Sequence, residues 1–408
     1  MYELWRQCGL PRSARGAASL PIQQSGTAGT GFTGACRISY HARMTRRFLG
    51  SQSLKGRGAL SNPPVRFEST SVEKTDDGWQ EDEELTTSLP EIVLPDRAKS
   101  VITTNSSPDV GFEQSINPYR GCSHGCVYCF ARPTHAYLGL SPGLDFETRL
   151  FYKDNAVQLL RAELSKRNYR CKTIALGINT DGWQPLERRM MVSRSVLAVL
   201  AECRHPVTIV TKSTLILRDL DLLQDLARDR LVSVMVSITS LDSRIKRTLE
   251  PRAAAPQARL KVIEQLSAAG VPVGVLVAPV IPALTDHEME QILEAAHSAG
   301  ATSAGYVLLR LPHEVKDLFR EWLAEHYPDR AKHVMSLINQ SRGGKDYQAE
   351  FGTRMVGTGV FAQLLRARFD GAMRRFGFKD AENRHELRTD LFRPPAPAGS
   401  EAQLTLEL

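Results

Sequence analysis

The sequence predicts an α/β fold in which parallel strands alternate with helices in a partial (β/α)6 barrel of the TIM type. From Gln114 onward, apolar runs rich in β-branched residues alternate with segments of helical periodicity. The runs are almost continuously hydrophobic, as expected of parallel strands covered on both faces. A first strand just before Cys122 brings the strand–helix units to about six, fewer than the eight of a closed barrel.

Each predicted element follows from a run of this kind. The strands after the first one occupy 172–178, 206–212, 231–239, 271–279 and 303–311. The helices occupy 154–167, 189–203, 218–228, 257–269, 286–299 and 313–340, with a further basic and apolar helix within 352–378. We therefore expect a barrel core at 96–312, a helical C-terminal extension at 313–380 and a tail at 381–408, where prolines end regular structure.

The N-terminal segment, residues 1–66, differs from the rest of the chain in composition. It holds ten Lys or Arg and a single acid, Glu3, a composition typical of disorder and of mitochondrial transit peptides. Translation read from an upstream start, with Met44 as the true first residue, explains the same composition, and we favour it. Residues 67–95 form an acidic linker, and we expect ordered structure to begin near Leu94.

The composition also indicates the cellular compartment in which we expect the protein. The seven cysteines, three of them clustered, do not resemble a secreted disulfide framework, and no apolar run is long enough for a membrane helix. We expect a protein of the bacterial cytoplasm, or of the mitochondrion if residues 1–66 are a genuine transit peptide. The formal charge of +7 fits a nucleic-acid partner, an acidic ligand or a solvated surface.

Three cysteines follow the first predicted strand. Cys122, Cys126 and Cys129 have the spacing C-x3-C-x2-C, and thiolates at this density indicate zinc or an iron–sulfur cluster. Three cysteines can hold three irons of a 4Fe–4S cube and leave the fourth iron open. Zinc with His124 or His135 as its fourth ligand, a redox dithiol and three unliganded cysteines are the alternatives.

Polar residues follow most of the other predicted strands. Because the carboxyl ends of parallel strands meet at one mouth, we expect these side chains to converge there. They are Asn179, Thr180, Asp181, Lys212, Ser213, Ser237, Thr239, Ser240 and Arg310. Ser213, Ser240 and Asp242 are expected to serve as helix N-caps, and Arg252 and Arg310 are candidate partners for a carboxylate or a substrate.

The cysteine motif resembles the signature of the radical S-adenosylmethionine (SAM) superfamily. Gly121 and Gly125 let the backbone wrap closely around a cluster, and Tyr128 and Phe130, on either side of Cys129, can shield it or pack on an adenine. Over about 117–282 the chain is similar to the spore photoproduct lyase branch, through "NTDGWQPLE", "TKSTLILRD", "VSITSLD", "LEPRAA" and "VLVAPVIP". Over about 55–395 it resembles an uncharacterised bacterial group related to those lyases, which shares "GRGALSNPPVRFE" and "INPYRGCSHGCVYCFARPTH".

This resemblance implies one 4Fe–4S cluster on the three cysteines, with SAM bound at the open iron and cleaved reductively to a 5′-deoxyadenosyl radical. It implies SAM contacts at Thr180, Lys212 and Ser237, with Lys212 facing the methionine carboxylate. Asp181 would accept from the SAM amino group or anchor its loop. No cysteine follows Cys203, so we expect a single cluster and an external electron donor such as flavodoxin or ferredoxin.

Two positions depart from the lyase pattern. Ile178 stands where the lyases carry a cysteine hydrogen donor, and Phe130 stands where they carry a tyrosine. Cys171 lies at the start of its strand and therefore at the opposite end of the barrel. We do not expect thymine-dimer reversal by that route. Nucleic acid, a peptide or a small metabolite remain open as substrates, and a non-catalytic zinc or iron–sulfur binding module remains open as an alternative function.

Basic and aromatic residues of the C-terminal segment are the sequence support for a nucleic-acid substrate. They are Arg342, Lys345, Arg354, Arg366, Arg368, Arg374, Arg375 and Lys379, with Phe351, Phe369 and Phe376 for stacking. The same pattern is typical of an amphipathic helix whose arginines face water and whose phenylalanines pack on the barrel. We favour the amphipathic helix.

Overall fold

The computed structural model describes residues 54–67, 89–379 and 386–395, all within one compact unit. Its strands are β1 Ile92–Pro95, β2 Ile102–Thr104, β3 Gln114–Ile116, β4 Tyr119–Arg120, β5 Arg149–Tyr152, β6 Ile174–Leu176, β7 Val207–Thr211, β8 Val232–Ser237, β9 Val273–Val280 and β10 Ser303–Leu308. Its α-helices are α1 Asp145–Thr148, α2 Ala156–Leu164, α3 Glu187–Met190, α4 Val192–Glu202, α5 Leu220–Arg228, α6 Ser243–Leu249, α7 Pro256–Ala268, α8 Met289–Ser298, α9 Val315–His326, α10 Pro328–Gln340 and α11 Gly359–Phe376.

Six parallel strands form the barrel wall in the order β10-β9-β8-β7-β6-β3, and β2 joins the far edge antiparallel to β3. The predicted partial (β/α)6 barrel is thus confirmed. Its first strand is β3 and not the residues directly before Cys122, because those residues form β4 in a separate three-stranded sheet, β1-β5-β4. That sheet carries the chain from the barrel wall into the cysteine loop.

The core lies on both faces of the parallel strands. The valines of β8 and β9, together with Val207 and Ile209 of β7, are buried, and they pack with apolar side chains of α4, α5, α7 and α8 in one cluster. Branched side chains suit a strand that is covered on both sides. This packing explains why the near-continuous apolar runs mark strands. Because the six wall strands are parallel, their carboxyl ends lie at the same rim.

The structure changes the predicted helices and helix caps at three places. The predicted helix 313–340 is two helices, α9 and α10, because Pro328 has no N–H to donate and occupies the first turn of α10. The short helix α6 was not predicted. Ser213 and Asp242 cap the following helical turns as expected, whereas Ser240 donates to the carboxylate of Glu288.

The expectation that ordered structure begins near Leu94 was wrong. Residues 54–67 are described, and Arg57, Gly58 and Ala59 are buried in the fold. The hypotheses about a transit peptide or Met44 as the first residue, and about the acidic stretch at 75–84, fall outside the described residues. No described helix is both long enough and apolar enough to span a membrane.

Candidate cofactor site at the carboxyl ends of the strands

The loop that follows β4 carries all three cysteines of the motif. Gly121 and Gly125 have φ values of 77° and 70°, in the left-handed region that favours glycine. A Cβ on Gly121 would lie 2.9 Å from Cδ2 of Leu150, and one on Gly125 would lie 2.8 Å from the carboxylate of Glu147. Both turns of the loop therefore require glycine for conformation and for space.

The three thiols form a soft donor set in a protected position. Cys122 and Cys126 are buried, Cys129 is half-buried, and all three are free. Burial raises the pKa of each thiol, that of Cys126 to about 12, and the carboxylate of Glu250 adds to the effect at Cys126. Three thiols shielded from water suit an iron–sulfur cluster or zinc.

The two histidines proposed as a fourth zinc ligand have other neighbours. Nδ1 of His124 lies 3.5 Å from the carboxylate of Asp181, and Nε2 of His135 lies 2.9 Å from the carbonyl oxygen of Arg149, while Nδ1 of His135 is buried without a partner in the described structure. Among the described residues, no three or more His, Cys, Asp or Glu side chains are arranged to hold one metal ion. Zinc needs its ligands to converge on one point, whereas a cluster takes each thiolate on a separate iron. Neither histidine is arranged with the three cysteines as a zinc site among the described residues.

Thr180 and Asp181 follow β6 and are tied to neighbouring strands. The Thr180 hydroxyl donates to the carbonyl oxygen of Tyr119 at 3.0 Å. The carboxylate of Asp181 accepts from the Thr211 hydroxyl at 2.8 Å and from the Lys212 amide at 2.7 Å. It also accepts from the Trp183 amide at 2.9 Å. These bonds favour the loop-anchoring role of Asp181 over a role in binding an amino group.

Lys212 and Ser237 meet at the ends of β7 and β8. Nζ of Lys212 donates to Oγ of Ser237 at 2.7 Å and lies 3.5 Å from the carbonyl oxygen of Ala278. The Ser237 hydroxyl donates to the same carbonyl at 3.0 Å. The Lys212 side chain is 17% exposed, and an ammonium group has three protons to donate. The same Nζ lies 4.0 Å from Oε1 of Glu250, beyond hydrogen-bond distance, so one proton has no hydrogen-bond acceptor among the described residues.

Tyr128 joins the cysteine loop to this pair of strand ends. Its ring centre lies 5.9 Å from Nζ of Lys212, which is within range of a cation–π contact. Its hydroxyl donates to the carboxylate of Glu250 and lies 3.3 Å from the hydroxyl of Thr239. Tyr128 therefore packs its ring beside Lys212 and buries its polar end against Glu250 and Thr239.

Glu250 and Arg259 belong to the site although sequence reasoning did not select them. Both are buried, and Arg259 pairs with the Glu250 carboxylate and donates to the carbonyl oxygen of Ser237 at 2.9 Å. Burial alone would raise the pKa of Glu250, but Arg259 and Lys212 together lower it to about 2. Glu250 lies inside the "LEPRAA" stretch that resembles the lyase branch, so the resemblance could have selected it. Nothing in the sequence distinguishes Arg259 from an exposed helical arginine.

The segment 54–67 forms a strap against the cysteine loop. The amides of Gly58 and Ala59 donate to the carboxylate of Glu147 at 3.0 and 2.8 Å. A Cβ on Gly58 would lie 1.8 Å from the carbonyl oxygen of Gly125. The strap thus touches the loop backbone directly between the first and second cysteines of the motif.

A buried ion pair completes this support. Glu147 pairs with Arg132, and both side chains are fully buried. Arg132 also donates to the carbonyl oxygens of Cys126 and Gly143, each at 2.8 Å. Arg252, a candidate carboxylate partner, instead pairs with Glu91.

Comparison with known proteins agrees with this architecture. The model of the Radical SAM superfamily matches residues 116–296. Uncharacterised proteins of Mycobacterium bovis and Mycobacterium tuberculosis are each 42% identical over 231 residues, which is 56% of this chain and 68% of the relative. An uncharacterised protein of Methanocaldococcus jannaschii is 25% identical over 196 residues, 48% of this chain and 70% of that protein. The chain belongs to the radical SAM superfamily.

Solved structures of spore photoproduct lyase share the fold. The lyase complexed with dinucleoside spore photoproduct superposes with a TM-score of 0.50 at 15% identity, over 70% of this chain and 79% of that one. A single-substitution variant of the lyase gives a TM-score of 0.50 at 17% identity, over 70% and 78%. These structures confirm the expected fold, whereas the family model confirms the superfamily.

Proposed function

We propose that this protein is a radical SAM enzyme that holds one 4Fe–4S cluster on Cys122, Cys126 and Cys129 and binds SAM beside it. One observation carries the proposal. Three free thiols, shielded from water, lie on the same loop as Tyr128, and the ring of Tyr128 packs against the ammonium group of Lys212. When bound, the cluster and SAM would supply a 5′-deoxyadenosyl radical that abstracts hydrogen from the substrate.

The residues of the chain would bind and orient the cofactor. Lys212 presents a partly buried positive charge to the methionine carboxylate, and its bond to Ser237 fixes its direction. Ser237 and Thr180 each retain oxygen lone pairs after donating to carbonyls. Burial of the loop keeps bulk water away from the reacting centre.

An anaerobic assay tests this function. The full-length protein is reconstituted with iron and sulfide, its metal content is measured, and 5′-deoxyadenosine is assayed after addition of dithionite and SAM. We expect about four irons per chain and 5′-deoxyadenosine that depends on the cluster. Cys126→Ala should abolish both. Cys171→Ala, at the far end of β6, is the matched control and should retain both. A colourless protein that holds zinc and never cleaves SAM would refute the proposal.

We propose that the electron comes from a separate protein. We propose flavodoxin or ferredoxin as this donor. Replacing dithionite with a reduced flavodoxin and then with a reduced ferredoxin should sustain 5′-deoxyadenosine formation in at least one case. Failure of both with active enzyme would reject this class of partner.

Nucleic acid is the substrate class that we propose to test first. The positive net charge supports it, as do Lys345, Arg374, Arg375 and Lys379, which are exposed in the C-terminal extension. The buried Arg342 and Arg354 and the half-buried Arg368 are occupied within the fold, and Phe369 is buried, so these residues do not support it.

Salt-dependent binding separates a nucleic-acid substrate from a peptide or small metabolite. Binding of single-stranded and duplex DNA and RNA is measured at several salt concentrations. A true contact with phosphates should weaken steeply as salt rises. Lys345→Gln combined with Lys379→Gln should reduce that salt dependence. Absence of binding at low salt would favour the peptide or metabolite alternative.

A further inference from the structure

Arg310 is a buried arginine whose charge has no acidic partner in the described structure. It follows β10 and is 7% exposed. Its guanidinium reaches only the Met355 sulfur and the Tyr347 hydroxyl, both at 3.4 Å, and its Nε has no hydrogen-bond partner. These contacts are long and neutral, so most of the donor capacity of this side chain is unused.

A second arginine near it also lacks an acidic partner among the described residues, but four backbone carbonyls accept its hydrogen bonds. Arg342 is 1% exposed, and it donates to the carbonyl oxygens of Leu309 and Arg354, each at 2.8 Å. Its Nε has no partner, and no described acid pairs with it. Burial and the charge of Arg310 lower the pKa of Arg342 to about 10, so Arg342 is cationic at neutral pH.

Other buried arginines of this fold are treated differently. Among the described residues, all four of them pair with a carboxylate: Arg57 with Glu91, Arg132 with Glu147, Arg259 with Glu250 and Arg354 with Asp109. An unpaired buried charge is costly, and proteins normally compensate it. The missing compensation at Arg310 is therefore most simply supplied by a ligand.

The surroundings fix where that ligand would lie. The guanidinium of Arg310 is 5.7 Å from the ring centre of Phe130 and 6.0 Å from that of Tyr347. Aromatic faces at this distance orient a guanidinium group. Phe130 directly follows Cys129, so the free donors of Arg310 lie beside the cysteine loop and not on a remote surface.

We propose that Arg310 binds an oxyanion of the substrate, a phosphate or carboxylate group, next to the cofactor site. The planar guanidinium can donate two parallel hydrogen bonds to such a group. Arg342 does not touch the anion: it pins the end of β10 through carbonyls and adds positive charge behind Arg310. This inference rests on the proposed function and names the chemical class of its substrate.

Anion titration of the reconstituted full-length protein tests the site. Inorganic phosphate, dimethyl phosphate and acetate are titrated separately by calorimetry at constant ionic strength held with chloride. We expect at least one of them to bind. Arg310→Gln should weaken that binding about tenfold or more, and Arg310→Lys should weaken it less. Preference for dimethyl phosphate indicates a phosphodiester substrate, for inorganic phosphate a phosphomonoester, and for acetate a carboxylate.

Arg228→Gln is the matched control, because the Arg228 side chain is 78% exposed at the end of α5 and its loss should leave binding unchanged. Circular dichroism of each variant confirms folding. Equal anion affinity in wild type and Arg310→Gln would overturn the proposal. So would a loss of SAM affinity in Arg310→Gln at unchanged anion affinity, since Arg310 would then serve the cofactor. Failure of the proposed function appears separately, as absence of SAM cleavage in the wild type.

Discussion

Gly58 offers a sharp test of how the N-terminal strap supports the cysteine loop. In Gly58→Ala the new Cβ would lie 1.8 Å from the carbonyl oxygen of Gly125 and 3.3 Å from the amide nitrogen of Val127. Both neighbours are backbone atoms, so no side-chain rotation relieves the overlap. The strap or the loop must move by more than 1 Å to restore a separation of about 3 Å.

The cost follows from what that movement breaks. The Gly58 and Ala59 amides would leave the buried carboxylate of Glu147. A hydrogen bond to a charged group contributes about 1.5–3 kcal/mol, so loss of both corresponds to about 3–6 kcal/mol at most. Glu147 is also the partner of Arg132, which donates to the carbonyl of Cys126. We therefore expect both lower stability and weaker iron retention.

Two measurements check this expectation. The free energy of unfolding is obtained from urea titration, and iron per chain is followed during anaerobic dialysis against a weak chelator. Gly111→Ala is the matched control, because a Cβ there meets nothing within 4 Å. If Gly58→Ala retained iron and stability like the control, the strap would not support the loop and the packing argument would be refuted.

Three further predictions concern the site and the far end of the barrel. Lys212→Gln should weaken SAM binding about tenfold or more without changing iron content, as measured by equilibrium dialysis; unchanged SAM affinity would exclude Lys212 as the carboxylate partner. Glu250→Gln should destabilise the protein by about 3–5 kcal/mol in urea, because it leaves the buried charge of Arg259 uncompensated, whereas a loss under 1 kcal/mol would show that the pair contributes little. Burial lowers the pKa of His205 from 6.5 to about 4. Between these two pH values the unfolded state binds more protons than the folded state does. The contribution of neutral His205 to the free energy of unfolding is therefore present above pH 6.5 and lost as the pH falls toward 4. Phe392 packs on His205, and the amide of the next residue, Arg393, donates to the Cys203 carbonyl at 2.8 Å. Hydrogen exchange of the Arg393 amide should therefore accelerate as the pH falls from about 7 to 5. A local opening equilibrium that does not change with pH, after correction for intrinsic exchange, would contradict this.

The sequence could predict features that depend on local pattern. The strands of the barrel wall follow from runs of branched apolar residues, and the cysteine loop follows from the spacing of Cys122, Cys126 and Cys129 together with two glycines. Lys212 and Ser237 could be selected because each stands at the end of such a run. Strand direction then places them at one rim without knowledge of any long-range contact.

Features that depend on distant partners could not be predicted in this way. The strap at Gly58 contacts Glu147, 89 residues later, and its composition alone resembles a disordered segment. Arg259 lies on a helix whose periodicity does not show that one of its polar positions is buried against Glu250. The break at Pro328 was readable from the sequence, because a proline opens the first turn of a new helix, and the prediction of one long helix overlooked it.

The balance of donors and acceptors around the cysteines restricts what can bind there. Asp181 is occupied by Thr211 and backbone amides, and Glu250 is occupied by Tyr128, Thr239 and Arg259. The carboxylates of Asp181 and Glu250 thus already accept hydrogen bonds from donors of the protein. By contrast, Lys212 keeps a proton and the guanidinium of Arg310 keeps several. A ligand that complements this rim must therefore bring acceptors to two separate points. The carboxylate of SAM fits the first, and an oxyanion of the substrate fits the second, so a cationic substrate group is disfavoured at either position.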